Sequence, residues 1–521
     1  MPDERPSKWI PGRYPAPGTS PVGDAIRQRR GERGITALDA ALLHVPPAAE
    51  GWNTLLGAVR SKGALSGDVR ELMILRVAAI NGAAYEWIHH EHVGRQHGLT
   101  TSQLYIVRDI TTPLPPAQGI LSHLQTAALV FSDASTRTVA VPDSVTEDLK
   151  KELRNWVLKE NSGLSEDEVK AKTDDVFVEA SLITATYNMV SRFLVAVDVA
   201  GFSREPVPWP LERQEYFFPI SNDDPTHIIH TITLKSSSSA PYVVFVNSLL
   251  TDFTMWSLVL PYFIRREYNI VLLSQRGHGQ STLPTSPPSG NDQRTVTIPL
   301  LASDIHTILS SHLNIPSGNI KAIIGVSQGG ATVLAYAALY NETNESPSTT
   351  QSIIVCDTAP RTPATNQSAW EERIKLVGGD QLSGMKRLAD ATVPRWFPPG
   401  SQISPQECQG NKRAAWVSSL ITSTPVSGFE AGARALGSYD VLELGVMESS
   451  VPNVLLLAGS LDGGGKVGAS LKQFGEEWNE KRKVQGRSEI EFVSVEGSGH
   501  LPMIDEPEKF WEAVNAFLSR I

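Results

Sequence analysis

The chain has 521 residues, of which 41% are apolar and 20% charged, and a net charge of −10. That length exceeds one ordinary core and predicts two or three domains. The composition excludes wholesale disorder, and the absence of a long basic stripe leaves nothing that points to nucleic acid.

Residues 1–25 are polar and Pro-rich and read as an extended arm without the apolar core of a secretory signal. No apolar run reaches membrane-spanning length, so neither a membrane anchor nor a membrane partner is expected. Cys356 and Cys408 fit no CxxC pair and no Cys/His zinc spacing, which fits a reducing, cytoplasmic setting without a disulfide framework. The final Ser519-Arg520-Ile521 loosely echoes a peroxisomal ending and leaves that compartment open.

Residues 26–205 read as an all-α domain. In 67–98 and 174–201 apolar residues recur at helical spacing, and the charged stretch 144–172 reads as an exposed helical insertion. Pro206, Pro208 and Pro210 mark a linker over 206–215. From 216 to 521 short β-branched runs alternate with helical stretches of the 297–313 and 330–340 kind. The runs are 242–249, 268–275, 320–327, 351–358, 453–460 and 489–497. Such alternation predicts a mainly parallel sheet covered by helices. The helical, Trp-containing stretch 363–445 interrupts it and suits a cap over the sheet's carboxyl edge.

Within that second part, Gly325-Val326-Ser327-Gln328-Gly329 follows an apolar strand and precedes a helix-forming run. This is the G-x-S-x-G turn in the strand–turn–helix context that lifts a serine above a sheet, as in α/β hydrolases. The chain order then asks for an acid and a histidine. Asp462, after NVLLLAGS, is preferred as the acid over Asp357, after SIIVC. His500 sits in a loop between the last strand and a helix over 507–519. The set Ser327, Asp462 and His500 supplies a nucleophile, the group that orients the imidazole, and a proton acceptor that returns the proton to the leaving group. The backbone N–H groups of Gln328 and Leu249 are the expected oxyanion donors.

Several segments resemble the 3-oxoadipate enol-lactonases over about 240–515. They include 246–263, 274–281, 325–330, 356–374, 388–397 and 497–510, and Asn247-Ser248-Leu249 stands where many α/β hydrolases carry His-Gly. One departure is Ser274-Gln275-Arg276-Gly277-His278-Gly279, where the family usually begins with Asp; that acid is expected to be structural. The resemblance implies an α/β hydrolase that opens an anionic lactone without a cofactor or metal. Arg395, Trp396 and Trp256 are the expected substrate contacts. Arg395 either grips the substrate carboxylate or packs on Trp396.

The stretch 35–200 resembles the carboxymuconolactone decarboxylase family, which includes alkylhydroperoxidase D. The resemblance implies an all-helical fold that assembles as a trimer or hexamer. Glu71 and His90 match the family's glutamate and histidine, whereas Ala83 and Glu86 occupy its two cysteine positions, which removes thiol chemistry. Glu86, His90, Glu71, His89 and His92, with Tyr85, remain as an acid–base cluster; they serve decarboxylation or line an interface. Glu86-x-x-His89 is half of a di-iron pattern without its second half. Together the two resemblances imply an enzyme that decarboxylates a carboxymuconolactone-type substrate and then hydrolyses the enol-lactone. The alternative is an esterase, lactonase or C–C hydrolase whose helical domain serves oligomerisation.

Overall fold

The computed structural model describes residues 5–220, 225–284, 296–341, 350–362 and 366–521. The first four residues of the expected arm, and 363–365 at the start of the expected cap, lie outside them. The backbone divides into two compact units, Met1–Pro210 and Leu211–Ile521. The division falls inside the Pro-rich segment read as a linker, but residues 212–215 of that segment already belong to a strand.

The first unit is helical: α1 (Pro21–Arg30), α2 (Ala37–Leu42), α3 (Pro46–Ser61), α4 (Gly67–Ile80), α5 (Ala84–Gln96), α6 (Thr101–Arg108), α7 (His123–Thr138), α8 (Asp143–Glu160) and α9 (Glu166–Ala196). The expected arm therefore ends at Ser20, which caps α1 by accepting from the Gly23 N–H. Thr36, Thr100, Ser122 and Ser165 start α2, α6, α7 and α9 with reciprocal capping boxes, satisfying backbone donors that a helix start leaves unpaired. The apolar stretch 67–98 is two helices, because Asn81 and Gly82 (φ 66°) break it and turn α5 back against α4. α4 is buried from Val69 to Ala79 except at Arg70, so it is the unit's central helix. Its Arg76, 1% exposed, is neutralised by Asp133 on α7 and donates to the carbonyls of Val107 and Asp109 at the end of α6. Residues 144–172 are not an insertion. Leu149, Leu153 and Val157, one helical turn apart, are buried where α8 packs on α7 and α9.

The second unit holds one eight-stranded sheet. Its strands are β1 (Glu212–Pro219), β2 (Ile228–Lys235), β3 (Tyr242–Val246), β4 (Asn269–Leu273), β5 (Ile320–Val326), β6 (Ser352–Cys356), β7 (Asn453–Gly459) and β8 (Glu491–Val495). The order is β1-β2-β4-β3-β5-β6-β7-β8. β1 and β2 pair antiparallel, β2 pairs antiparallel with β4, and every other pairing is parallel. The six parallel strands are those read from the sequence; the β1–β2 hairpin was not. β4, β6 and the inner residues of β3, β5 and β7 are buried on both faces, as a parallel sheet between helices requires.

The helices of this unit are α10 (Leu260–Arg265), α11 (Ile298–Thr307), α12 (Gln328–Tyr340), α13 (Asn366–Val377), α14 (Ser383–Trp396), α15 (Lys412–Ser423), α16 (Val426–Leu436), α17 (Lys466–Val484), α18 (Pro502–Asp505) and α19 (Pro507–Leu518). α13–α16 lie between β6 and β7 in the chain, where the cap was expected. Two contacts pin α16 over the sheet's carboxyl edge. Gly428 lies so close to Gly277 that a Cβ there would sit 1.9 Å from the Gly277 carbonyl oxygen, and Gln328 Nε2 donates to the Gly432 carbonyl at 2.8 Å.

Candidate functional site

The parallel strands β5, β6, β7 and β8 are neighbours, so the loops at their carboxyl ends meet. Ser327 stands between β5 and α12 with φ 56° and ψ −117°, a backbone that side-chain-bearing residues rarely adopt. The surrounding structure imposes it. The Ser327 N–H donates to the Cys356 carbonyl at 2.9 Å and its own carbonyl accepts from Ala331 at 3.0 Å. Both flanking glycines are required: a Cβ on Gly325 would lie 2.3 Å from the Gly329 oxygen, and one on Gly329 2.3 Å from the Val246 oxygen. The Ser327 side chain remains half-buried and open to a substrate.

Asp462 follows β7 and His500 follows β8. His500 Nδ1 and Asp462 Oδ2 are 2.7 Å apart. Burial alone would raise the Asp462 pKa, but the charge and hydrogen bond of His500 hold it below the usual carboxylate value. The end of α14 steadies the histidine from the other side. The His500 N–H donates to the Trp396 carbonyl at 2.8 Å, and the two rings stack with centroids 5.5 Å apart. Gly499 permits this approach, since a Cβ there would lie 1.9 Å from the Trp396 oxygen. Asp357, at the end of β6, does not hold the histidine; it lies behind Asp462, 2% exposed. Asp357, Asp462 and His500 each place a polar side-chain atom within 4.8 Å of the others.

The Leu249 and Gln328 backbone N–H groups take no acceptor among the described residues. The Leu249 turn is braced from below. The Leu250 N–H donates to His278 Nε2 at 3.2 Å, and His278 Nδ1 donates to the Arg276 carbonyl at 2.9 Å. His278 is buried, which depresses its pKa to about 4 and keeps the ring neutral for this acceptor role. Arg276 in turn forms a buried two-point pair with Asp304. The Gln-Arg-Gly-His-Gly segment thus supports the turn.

Of the three expected substrate contacts, Trp256 is displaced. It is 0% exposed, packed against Phe245 and Phe510 in the core, because it ends a short helical turn, Phe253–Trp256, whose Met255 and Trp256 are buried. Trp396 is buried against His500. Arg395 is exposed and makes no ion pair, hydrogen bond or ring contact with Trp396 among the described residues. The protein around its head group and the like charge of Arg373 push its pKa down to about 10, against the pull of Asp462.

The helical unit holds a second candidate site, a cavity of about 310 Å³. Arg30, Arg33, Arg60, Arg70, Glu71, Tyr85, Glu86, His89, His90 and His97 line it, with Leu38, Val190 and Leu194. His90 Nδ1 lies 2.7 Å from Glu71 Oε2. Burial alone would raise Glu71, but His90, Arg70 and Arg60 hold it below its usual value, while burial lowers His90. Glu86 is 2% exposed and accepts from Ser191 Oγ at 3.0 Å. Burial raises its pKa well above its ordinary value, against smaller opposing effects of Ser191 and Arg60, which favours the protonated acid. Arg60 Nε donates to the Tyr187 hydroxyl at 2.7 Å, and the Tyr187 ring meets the His90 ring edge-on at 5.1 Å. His89 Nδ1 lies 2.7 Å from the Tyr85 carbonyl. His92 is exposed and does not line the cavity; it is two residues past His90, on another face of α5. Among the described residues, Glu86 and His89 belong to no three-group cluster with metal-binding spacing.

Residues 241–507 match the model of the alpha/beta hydrolase fold. The chain belongs to the α/β-hydrolase fold family. Residues 46–115 match the carboxymuconolactone decarboxylase family. Among curated proteins, 3-oxoadipate enol-lactonase 1 of Acinetobacter baylyi is 26% identical over 291 residues, 56% of this chain and 93% of that one. Its 3-oxoadipate enol-lactonase 2 is 28% identical over 286 residues, 54% of this chain and 89% of that one. Among solved structures, the enol-lactonase of Burkholderia xenovorans LB400 is 22% identical and covers 59% of this chain and all of its own, with a TM-score of 0.45. No helix among the described residues is long and apolar enough to cross a membrane.

Sequence reasoning missed Arg60, Tyr187 and Ser191 of this α/β-hydrolase family member's helical unit. Tyr187 and Ser191 are i and i+4 on α9, beside the cavity-lining Val190 and Leu194, so a polar pair on that helix's buried face was the available signal.

Proposed function

We propose that the chain carries two active sites for lactone acids: a serine hydrolase site that opens an enol-lactone, and a helical site that decarboxylates a carboxylated lactone. The observations that carry the first are the strained Ser327 turn at the carboxyl end of β5 and the His500–Asp462 pair at the carboxyl ends of β7 and β8, in a unit related to enol-lactonases. Ser327 Oγ attacks the lactone carbonyl while its proton passes to His500 Nε2. Asp462 holds Nδ1–H and stabilises the imidazolium. The Leu249 and Gln328 N–H groups receive the oxyanion. Collapse breaks the ring C–O bond, and His500 returns the proton to the departing enolate oxygen. Water, activated by the same histidine, then frees the acid from Ser327. The released enol tautomerises to a ketone, which removes the nucleophile that would close the ring again. Arg395, at the cap and without a partner among the described residues, pairs with the substrate carboxylate.

In the helical site, loss of carbon dioxide leaves its bonding pair in the lactone ring, with charge on the carbonyl oxygen. Arg60, whose terminal nitrogens have no partner among the described residues, receives that charge. The neutral Glu86 gives a proton to the ring carbon and is reprotonated from solvent. The product is the lactone the other site opens. Val178, Leu182 and Met189 leave an apolar stripe exposed on α9, which supports assembly into a homo-oligomer through this unit.

The test of the hydrolase reading is 3-oxoadipate enol-lactone supplied to wild type and Ser327→Ala, with a fluorophosphonate probe read by intact mass. Opening by wild type alone and one adduct on Ser327 support it; opening by the variant at the wild-type rate refutes it.

A further inference from the structure

Asp357 has no part in the mechanism above. It is 2% exposed, at the carboxyl end of β6, with a left-handed backbone (φ 45°) that fixes where its carboxyl points. One oxygen, Oδ1, accepts from the Gly459 N–H at 2.8 Å. The other, Oδ2, is buried without a donor among the described residues. A second carboxyl group is close by, since Asp357, Asp462 and His500 bring polar atoms within 4.8 Å of one another. His500 occupies only Oδ2 of Asp462. Two carboxylates in so dry a place do not both ionise; one proton between them turns the repulsion into a hydrogen bond.

We propose that Asp357 is a positioning residue, kept protonated, whose Oδ2–H donates to the Asp462 oxygen that His500 leaves free. It thereby aims Asp462 at the imidazole, extending the Ser327–His500–Asp462 set inward by one residue. The proposal rests on the hydrolase reading of that set. The surroundings agree with the placement of the proton. Burial first, then the Asp462 charge, raise the Asp357 pKa well above its ordinary value, whereas Asp462 is held low. The adjacent Cys356 thiol is buried and also raised, so it adds no charge, and Arg395 acts on Asp462 rather than on Asp357.

The experiment compares Asp357→Asn and Asp357→Leu in the full chain with p-nitrophenyl acetate. An asparagine amide keeps a donor in the same place. The asparagine variant is expected to stay within threefold of wild type. The leucine variant should lose about tenfold in kcat with KM unchanged, the usual cost of removing a partner that orients a functional histidine's ligand. If Asp357 works as a second anionic acid, asparagine falls as far as leucine and the proposal is overturned. A second readout does not need activity. A carboxyl group whose folded pKa is raised stabilises fully below its unfolded value, about 4, and loses that contribution as pH rises through the folded value. The Tm of Asp357→Asn should therefore gain on wild type steadily from pH 4 upward. A difference that does not change with pH overturns the proposal. Ser327→Ala separates the two readings: if it still hydrolyses the ester, the nucleophile is misassigned, and the Tm comparison still decides where the proton lies.

Discussion

Gly329→Ala tests whether the turn after β5 is built to the tolerance that the reaction requires. A Cβ at this position would sit 2.3 Å from the Val246 oxygen and 2.7 Å from the Asn247 oxygen, both main-chain atoms with no side-chain freedom. Real Cβ atoms essentially never approach closer than 3.0 Å, so the start of α12 and the end of β3 must separate by about 0.7 Å. Those two segments carry the Gln328 and Leu249 N–H groups. A misplacement on the order of 1 Å costs roughly 100-fold in rate, equivalent to about 2.7 kcal/mol of barrier. Overpacking adds a stability loss of about 1–3 kcal/mol. The assay is kcat for p-nitrophenyl acetate and for 3-oxoadipate enol-lactone, alongside a thermal melt. The variant should lose about 100-fold in kcat on both substrates while still folding at 25 °C. A folded variant with kcat within threefold of wild type would refute the claim that these two donors act together on the oxyanion.

Trp396→Ala should lower kcat by up to about tenfold with little change in KM for a neutral ester, because it removes a ring stacked on His500 while leaving the carbonyl that holds its N–H. Arg395→Ala should raise KM for an anionic lactone by about tenfold or more, the worth of a charged hydrogen bond, and leave KM for p-nitrophenyl acetate unchanged. Arg60→Ala should slow carbon dioxide release from a carboxylated lactone by about tenfold or more without touching ester hydrolysis, which parallel assays on one preparation would read. Glu86→Gln should stabilise the protein increasingly as pH rises. The raised folded pKa makes the wild-type carboxyl fully favourable only below about pH 4, and above it each tenfold weakening of the acid on folding costs wild type about 1.4 kcal/mol. Melts from pH 4 to 9 check this, and parallel Tm curves would contradict a neutral Glu86.

The hydrolase fold and its candidate residues were legible because each sits in a pattern local in sequence. Ser327 lies in a five-residue motif, and Asp462 and His500 each follow a strand recognisable as a short β-branched run. β1 and β2 were not legible. β1 (ERQEYFFP) is an edge strand with no buried residue, and the interior of β2 mixes His230, Thr231 and Thr233 with its apolar residues, so neither carries an apolar run. Trp256 was misplaced because nearness in sequence to the Leu249 turn does not say which way a side chain faces. The helical site was half legible. Glu71, Glu86 and His90 fall in one motif, but Arg60 and Tyr187, 127 residues apart, meet only through the packing of α3 and α9. The preference for Asp462 over Asp357 rested on weak local grounds, since both acids follow parallel strands; the sheet order places them side by side, and it is Asp462 that pairs with the histidine.

The most direct test of two sites in series is a coupled assay with 4-carboxymuconolactone, supplied to wild type, Ser327→Ala and Glu86→Gln. Two sites in series predict carbon dioxide from wild type and Ser327→Ala, lactone opening from wild type alone, and an accumulating enol-lactone in Ser327→Ala. Opening of supplied 3-oxoadipate enol-lactone without any carbon dioxide from the carboxylated substrate would contradict them, leaving a hydrolase whose helical unit does other work.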